Sequence, residues 1–116
     1  MSDSVYPNSS PRWSELRRAL APETEKAFQA FSRQVFADGA LPVKVKQLIA
    51  VAVAHVTQCP YCIRGHVKGA LRAGATREEV MEAIWVAAEM RAGGAYAHAT
   101  VALAAMEEAQ SQHAAG

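Results

Sequence analysis

The chain has 116 residues and a formal net charge of +1. This length suits one domain, and the near-neutral charge argues against a dedicated nucleic-acid binder, which is usually strongly basic. Hydrophobic residues make up 51% and charged residues 20%, which excludes wholesale disorder. Alanine occurs 25 times and aromatic residues make up only 7%, so we expect an all-α fold with closely packed helices.

No targeting or membrane segment is expected. The first ten residues show neither the basic region nor the apolar region of a signal peptide. The longest apolar run covers residues 48–54, far short of the roughly 20 residues that a membrane-spanning helix needs. We therefore expect a cytoplasmic protein with no membrane and no nucleic-acid partner. Two cysteines are too few for a disulfide-stapled secreted scaffold.

Helix signals divide the chain into a flexible arm (1–10), a single helical domain (11–110) and a flexible tail (111–116). Prolines suit the first turn of a helix, glycines end helices, and Thr76 with Glu79 forms a capping box. The run 48–54 is apolar all round, which is typical of a helix buried on several sides. About six helices are predicted: Pro11 to Leu20, Pro22 to Gly39, Pro42 to Thr57, Pro60 to Gly74, Arg77 to a break at Gly93–Gly94, and Ala95 to Ala109.

The candidate chemistry lies at the predicted start of the fourth helix. Cys59, Cys62 and His66 are spaced three and four apart, so they share one face of a helix. A free cysteine has a pKa of about 8.5 and is only about 3% thiolate at pH 7. A helix N-terminus and a nearby histidine both lower the pKa of a thiol. The spacing therefore predicts a reactive thiolate with a second cysteine that can resolve it into a disulfide.

Two orders of attack are compatible with this spacing. Because Cys62 and His66 are four residues apart, His66 can accept the proton of Cys62, and we expect Cys62 to attack and Cys59 to resolve. In the reverse order, the N-terminal cysteine attacks, as in thioredoxin-type motifs. Two other interpretations stay open. The cysteines could be buried and inert, or Cys59, Cys62 and His66 could bind zinc with His55 or His98 as the fourth ligand.

The segment from Lys46 to Ala73 contains Cys-Pro-Tyr-Cys followed by His66, and it resembles the AhpD-like alkylhydroperoxidases of the carboxymuconolactone decarboxylase superfamily. The likeness covers roughly residues 41–105. It implies an all-α fold, assembly into homo-trimers or homo-hexamers, and reduction of a small-molecule hydroperoxide by a cysteine pair. It also implies re-reduction by an external dithiol or thioredoxin-like partner, with no bound cofactor and no metal. By this resemblance, Cys59, Tyr61, Cys62 and His66 fall on functional positions.

One position departs from the family pattern. A glutamate often stands twelve residues before the first cysteine, and this chain has Gln47 there. Glutamine can hydrogen-bond the imidazole but cannot stabilise imidazolium by charge. Proton transfer through His66 is therefore expected to be weakened, or a carboxylate elsewhere in the chain supplies the missing negative charge. Glu89 is the first candidate and Glu82 the second.

Three side chains are candidates for lining a pocket: His55, Glu82 and His98. The apolar third helix and the small residues at 50–54 and 95–105 favour a homo-oligomer with close helix contacts. Two functions other than a peroxidase or disulfide oxidoreductase are considered. The superfamily name suggests a lactone decarboxylase, whose chemistry does not need a cysteine pair, and the zinc interpretation suggests a structural module.

Overall fold

A computed structural model of the chain describes residues 5–115 and confirms the all-α fold, since these residues form no strand. The predicted arm and tail extend to residues 1–4 and 116, which lie outside the described residues, so the division into arm, domain and tail stays a prediction. None of the described helices combines the length and the apolar sequence needed to span a membrane. Five helices follow in order: α1 (Pro11–Leu20), α2 (Pro22–Val35), α3 (Val43–Thr57), α4 (Pro60–Arg72) and α5 (Arg77–Ala115).

The predicted break at Gly93–Gly94 is wrong, and the described part of the chain forms five helices where about six are predicted. α5 runs without interruption for 39 residues. A glycine inside a helix costs about 1 kcal/mol relative to alanine, which is too little to end a helix whose neighbours are mostly alanine. The Glu89 side chain uses the space at Gly93, because a methyl group there would lie 3.1 Å from Glu89 Oε1.

α2 ends at Val35, four residues before the predicted stop at Gly39. The residues that follow hold the start of α3 instead of extending α2. The Val43 backbone N–H donates to Asp38 Oδ1 at 2.9 Å, and Lys46 Nζ donates to the Ala37 carbonyl at 2.6 Å. These two hydrogen bonds therefore join the loop after α2 to the first turn of α3.

A tight turn joins α3 to α4 and sets the position of the first cysteine. Gln58 adopts the left-handed conformation with φ 59°, and the Cys59 N–H donates to the Ala54 carbonyl at 3.2 Å. This bond satisfies a carbonyl at the end of α3 while the chain reverses. Cys59 consequently becomes the N-cap of α4, as predicted from Pro60.

The core lies where α3, α4 and the first turns of α5 meet. Its buried residues are Val51, Ala70, Ala75 and Val80. The prediction that the apolar run of α3 is buried on several sides is wrong within the single chain, because Ile49 and Val53 are exposed. Their exposed fractions are 47% and 51%. One face of α3 packs on the core, and within residues 5–115 the opposite face stays about half exposed at Ile49 and Val53.

The predicted capping box at the start of α5 is confirmed. The Glu79 N–H donates to Thr76 Oγ1 at 3.0 Å, and the Thr76 N–H donates to Glu79 Oε1 at 2.8 Å. Replacing an N-cap hydroxyl by alanine removes an acceptor for a free helix N–H. Thr76→Ala is therefore expected to lower the free energy of unfolding by about 1 kcal/mol, measured by thermal unfolding at fixed protein concentration.

Thr100→Ala is the matched control, because Thr100 is exposed in the interior of α5 and alanine is the better helix former. It should keep or slightly raise the unfolding temperature. An equal loss in the two variants would contradict a capping role for Thr76.

Candidate active site

The sulfur of Cys59 accepts hydrogen bonds at the N-terminus of α4. The Cys62 backbone N–H donates to Cys59 Sγ at 3.2 Å, so the sulfur does what an N-cap oxygen usually does. Both cysteines are free thiols, Cys59 half-buried and Cys62 exposed. A negative sulfur is favoured there because unpaired N–H groups and the helix dipole point at it.

The two thiols ionise unequally. The Cys62 thiol, then the backbone N–H groups of Cys62 and Tyr61, donate to Cys59 and hold its pKa below the ordinary value. The same interaction with Cys59, together with partial burial, raises the pKa of Cys62. Cys59 is thus the first to become a thiolate. This ionisation order is opposite to the one that the Cys62–His66 spacing favours, and it agrees with the alternative in which the N-terminal cysteine attacks.

Alkylation across a pH series should reveal this order. Cys59 is expected to react with iodoacetamide at lower pH than Cys62, with each site quantified by peptide mass spectrometry. Cys62→Ala removes a donor to the Cys59 sulfur, so the pKa of Cys59 should rise and its alkylation should move to higher pH. Cys59→Ala should lower the pKa of Cys62 and move its alkylation to lower pH.

The two alanine variants act as controls for each other, because each deletes one thiol and leaves the same helix start. Faster alkylation of Cys62 at the acidic end in the unmodified chain would refute the assigned order. Shifts of equal sign in the two variants would also refute it.

His66 is held by a side chain from α3. Its Nδ1 lies 2.8 Å from Gln47 Oε1, which confirms that Gln47 hydrogen-bonds the imidazole. An amide oxygen only accepts, so Nδ1 carries the proton in the neutral ring. Nε2 is then the nitrogen that can take a proton from another group. No hydrogen bond joins His66 to Cys62 within residues 5–115, so proton transfer between them stays a prediction.

Two residues that the sequence did not single out complete the setting of His66. Phe36, directly after α2, stacks on the imidazole with ring centroids 5.0 Å apart and an angle of 24°. Gly69 lets Gln47 approach α4, because a Cβ there would lie 2.6 Å from Gln47 Oε1. The sequence offers one hint of this role of Gly69: it follows His66 by three residues, which places both on the same face of α4.

The structure does not place the predicted replacement carboxylates on His66. Glu82 and Glu89 are both exposed on α5. Glu89 lies over Gly93 of its own helix, and no hydrogen bond in the described chain connects it to the imidazole. The Nδ1 atom of His66 is bonded to the Gln47 amide, and the expected part of Glu89 in the relay stays a prediction.

The other two histidines are bonded to their own helices. His55 Nδ1 donates to the Val51 carbonyl and His98 Nδ1 to the Gly94 carbonyl, each at 2.8 Å. Neither they nor Glu82 line the groove beside Tyr61. Within the described residues no three His, Cys, Asp or Glu side chains could hold a metal ion together, so the considered zinc site is not assembled.

Tyr61 connects α4 to the N-terminal segment before α1. Its hydroxyl donates to the Pro7 carbonyl at 2.8 Å, and its ring meets Tyr6 edge to face at 5.9 Å. Because Tyr61 stands between the two cysteines in sequence, the arm reaches the edge of the candidate site. The functional role expected for Tyr61 from the resemblance stays a prediction.

Comparison with known proteins places this arrangement in a family. A curated relative, "Uncharacterized protein 4 in cox locus" of Paracoccus denitrificans, is 64% identical over 93% of this chain and 96% of its own length. A solved carboxymuconolactone decarboxylase family protein of Legionella pneumophila is 38% identical with a TM-score of 0.63, covering 82% of this chain and 87% of that one.

A solved family protein of Thermotoga maritima is 29% identical with a TM-score of 0.57, covering 81% of this chain and 97% of that one. Residues 22–108, three quarters of the chain, match the model of one family. This match includes all of α2, α3 and α4 and the cysteine pair at the start of α4. The chain therefore belongs to the carboxymuconolactone decarboxylase family.

Proposed function

We propose that this chain is an AhpD-like, thiol-dependent hydroperoxidase that cycles its cysteine pair through a disulfide. The observation that carries the proposal is the hydrogen-bonded Cys59 sulfur at the N-terminus of α4, 3.2 Å from the Cys62 N–H. A thiolate stabilised by donors and by a helix dipole is the nucleophile that a peroxide requires.

In the first step the Cys59 thiolate attacks one oxygen of the hydroperoxide. An S–O bond forms and the O–O bond breaks. The leaving alkoxide takes a proton and departs as an alcohol, while Cys59 becomes a sulfenic acid. We assign the attack to Cys59 because the Cys62 N–H donates to its sulfur at the helix N-terminus and its pKa is lowered, in keeping with the second of the two orders that the spacing allows.

In the second step Cys62 resolves the sulfenic acid. Its sulfur attacks that of Cys59, an S–S bond forms, and hydroxide leaves and is protonated to water. The raised pKa of Cys62 means that its thiol must lose a proton as it attacks. An external dithiol then supplies two electrons and two protons, which restores both thiols and releases the oxidised partner.

His66 is the proposed proton carrier between these steps. Gln47 fixes the Nδ1–H, so Nε2 is the atom that accepts a proton from a thiol and returns it to the leaving oxygen. The glutamine orients the ring without a negative charge. We expect imidazolium to be less stabilised here than beside a carboxylate, so the relay is slower than one with a glutamate.

A relative supports the same assignment. The Thermotoga maritima family protein carries a suggested involvement in the antioxidative response. That description suits a peroxide-reducing thiol pair better than it suits a lactone decarboxylase.

A thiol count tests the proposal. One equivalent of an organic hydroperoxide should convert both free thiols into one intramolecular disulfide, with a mass loss of two hydrogens. One equivalent of a dithiol should restore both thiols. Protein treated with the alcohol in place of the hydroperoxide is the control. Two thiols that persist after hydroperoxide treatment would disprove the peroxidase function.

A further inference from the structure

The imidazole of His66 is contacted on two sides by two different parts of the chain. At its edge, Nδ1 donates to Gln47 Oε1 of α3 at 2.8 Å. On its face lies Phe36, directly after α2, with ring centroids 5.0 Å apart and an angle of 24° between the planes. His66 and Phe36 are both half-buried, so the stacked face of the imidazole is shielded from water. The edge contact holds one nitrogen, whereas the face contact holds the plane of the ring.

One hydrogen bond alone holds an imidazole weakly. The χ2 torsion of histidine has broad minima, so the rotamer itself does not fix the plane of the ring. Rotation about the Cβ–Cγ bond turns the Nδ1–H out of line with the Gln47 oxygen, and a hydrogen bond weakens steeply as its angle departs from linear. A bond between neutral groups also contributes little net free energy, because water competes for both partners. The ring therefore needs a second contact that restricts this rotation.

The stack with Phe36 restricts the rotation. Any rotation about the Cβ–Cγ bond of His66 tilts the imidazole away from the near-parallel arrangement. Stacked aromatic rings attract when their centroids are about 4.5–7 Å apart, and the observed separation lies within this range. The plane that Phe36 favours is also the plane in which the Nδ1–H points at Gln47. The two contacts consequently support the same orientation of the ring.

A further hydrogen bond joins the two parts of the chain that contact the imidazole. Lys46 Nζ donates to the Ala37 carbonyl at 2.6 Å. Ala37 directly follows Phe36, and Lys46 directly precedes Gln47. The segment that carries the phenyl ring and the helix that carries the amide are therefore held relative to each other without the help of His66.

We propose that Phe36 is a positioning residue for His66 and that Lys46 holds Phe36 in place. The inference rests on the proposed hydroperoxidase function, in which Nε2 of His66 carries a proton. Phe36 sets the plane of the imidazole, so the Nδ1–H stays on Gln47 and Nε2 stays free to accept a proton. A hydrogen bond to a neutral amide is weaker than one to a carboxylate. The orientation of His66 therefore depends more on the aromatic contact here than it would beside a glutamate.

The tautomer of His66 tests the proposal in the reduced full-length chain at rest. Ring nitrogen chemical shifts, recorded at a pH where the imidazole is neutral, report which nitrogen carries the proton. The His66 signals are those absent from His66→Gln. The unmodified chain should carry the proton mainly on Nδ1. Phe36→Leu keeps an apolar side chain but removes the aromatic face, so the ratio of Nδ1–H to Nε2–H should fall by about 2- to 10-fold, the range that corresponds to one aromatic pair.

Two variants separate the aromatic contact from general packing. Phe36→Tyr retains the ring and should retain the ratio of the unmodified chain. Phe31→Leu is the matched control, because Phe31 is exposed on α2 and its ring meets Phe28. It should also leave the ratio unchanged. An unchanged ratio in Phe36→Leu, or an equal fall in Phe31→Leu, would overturn the proposal.

Lys46→Met tests the connection between the loop and α3 while both rings stay intact. Without the bond to the Ala37 carbonyl, Phe36 is held less firmly, and the same ratio should fall by less than in Phe36→Leu. Lys44→Met is the control, because Lys44 Nζ lies 2.8 Å from Glu79 Oε2 instead. An unchanged ratio in Lys46→Met, or an equal fall in Lys44→Met, would refute the part assigned to Lys46. If Phe36→Leu does not fold, Lys46→Met decides the proposal by itself.

Turnover distinguishes this proposal from the hydroperoxidase function on which it rests. In an active chain, Phe36→Leu should reduce hydroperoxide turnover by about the factor by which the tautomer ratio falls, and Phe36→Tyr should restore it. A lowered turnover with an unchanged ratio would overturn the positioning role. A lowered ratio in a chain that reduces no hydroperoxide would support the positioning role and disprove the hydroperoxidase function alone.

Discussion

Cys59→Ser is expected to abolish hydroperoxide turnover, reducing it to the rate of the buffer. A serine hydroxyl is not ionised at neutral pH, so it cannot replace a thiolate that is stabilised by the Cys62 thiol and N–H. Turnover is measured as consumption of the hydroperoxide in the presence of excess dithiol. This is the largest effect that we expect from any single substitution in the chain.

Cys62→Ser separates attack from resolution. Cys59 should still react once, and its sulfenic acid should be trapped by dimedone and identified by peptide mass spectrometry. Turnover should stop because no partner thiol closes the disulfide. Dimedone labelling of Cys62 in Cys59→Ser, with none of Cys59 in Cys62→Ser, would restore the order expected from the sequence and refute the one assigned here.

Gly69→Ala is expected to reduce turnover by about 10- to 100-fold, the usual effect of losing a group that orients a catalytic side chain. A methyl group at this position would lie 2.6 Å from Gln47 Oε1 and 2.9 Å from its Cδ. Gln47 must then move away from His66, and the ring loses the acceptor that fixes its tautomer. The measurement is the pH–rate profile of hydroperoxide reduction, which should change in shape as well as in height.

Gly65→Ala is the matched control on the same helix. Apart from the local backbone of α4 and the two neighbouring residues, no atom lies within 4 Å of a Cβ at Gly65, so the substitution adds only helix propensity. It should raise the free energy of unfolding by up to about 1 kcal/mol and leave the pH–rate profile unchanged. If both variants lose activity to the same degree, the effect comes from altered α4 packing and not from Gln47.

Local chemistry made much of the fold predictable. The starts of α1, α2 and α4 follow from prolines in a first turn, and the start of α5 follows from its capping box. The end of α4 follows from Gly74, whose φ is +96°. These signals act within one turn of helix, so they can be recognised from neighbouring residues alone.

The wrong predictions concern the strength of helix-ending signals and the coverage of apolar surface. Gly93 and Gly94 weaken α5 but do not end it, because the surrounding residues favour helix. The apolar run of α3 was expected to be covered on several sides, but one copy leaves Ile49 and Val53 exposed. Periodicity shows which face is apolar and does not show which chain covers it.

At the site, the placement of two cysteines at a helix start with a histidine one turn later could be predicted from spacing and from Pro60 alone, and the thiol order depends on contacts within that same turn. How the histidine is held, and what Tyr61 contacts, depends instead on the packing of distant segments. Gln47 and His66 are 19 residues apart, and Tyr61 and Pro7 are 54 apart. Such contacts arise when separate helices pack, and helical periodicity carries no information about them.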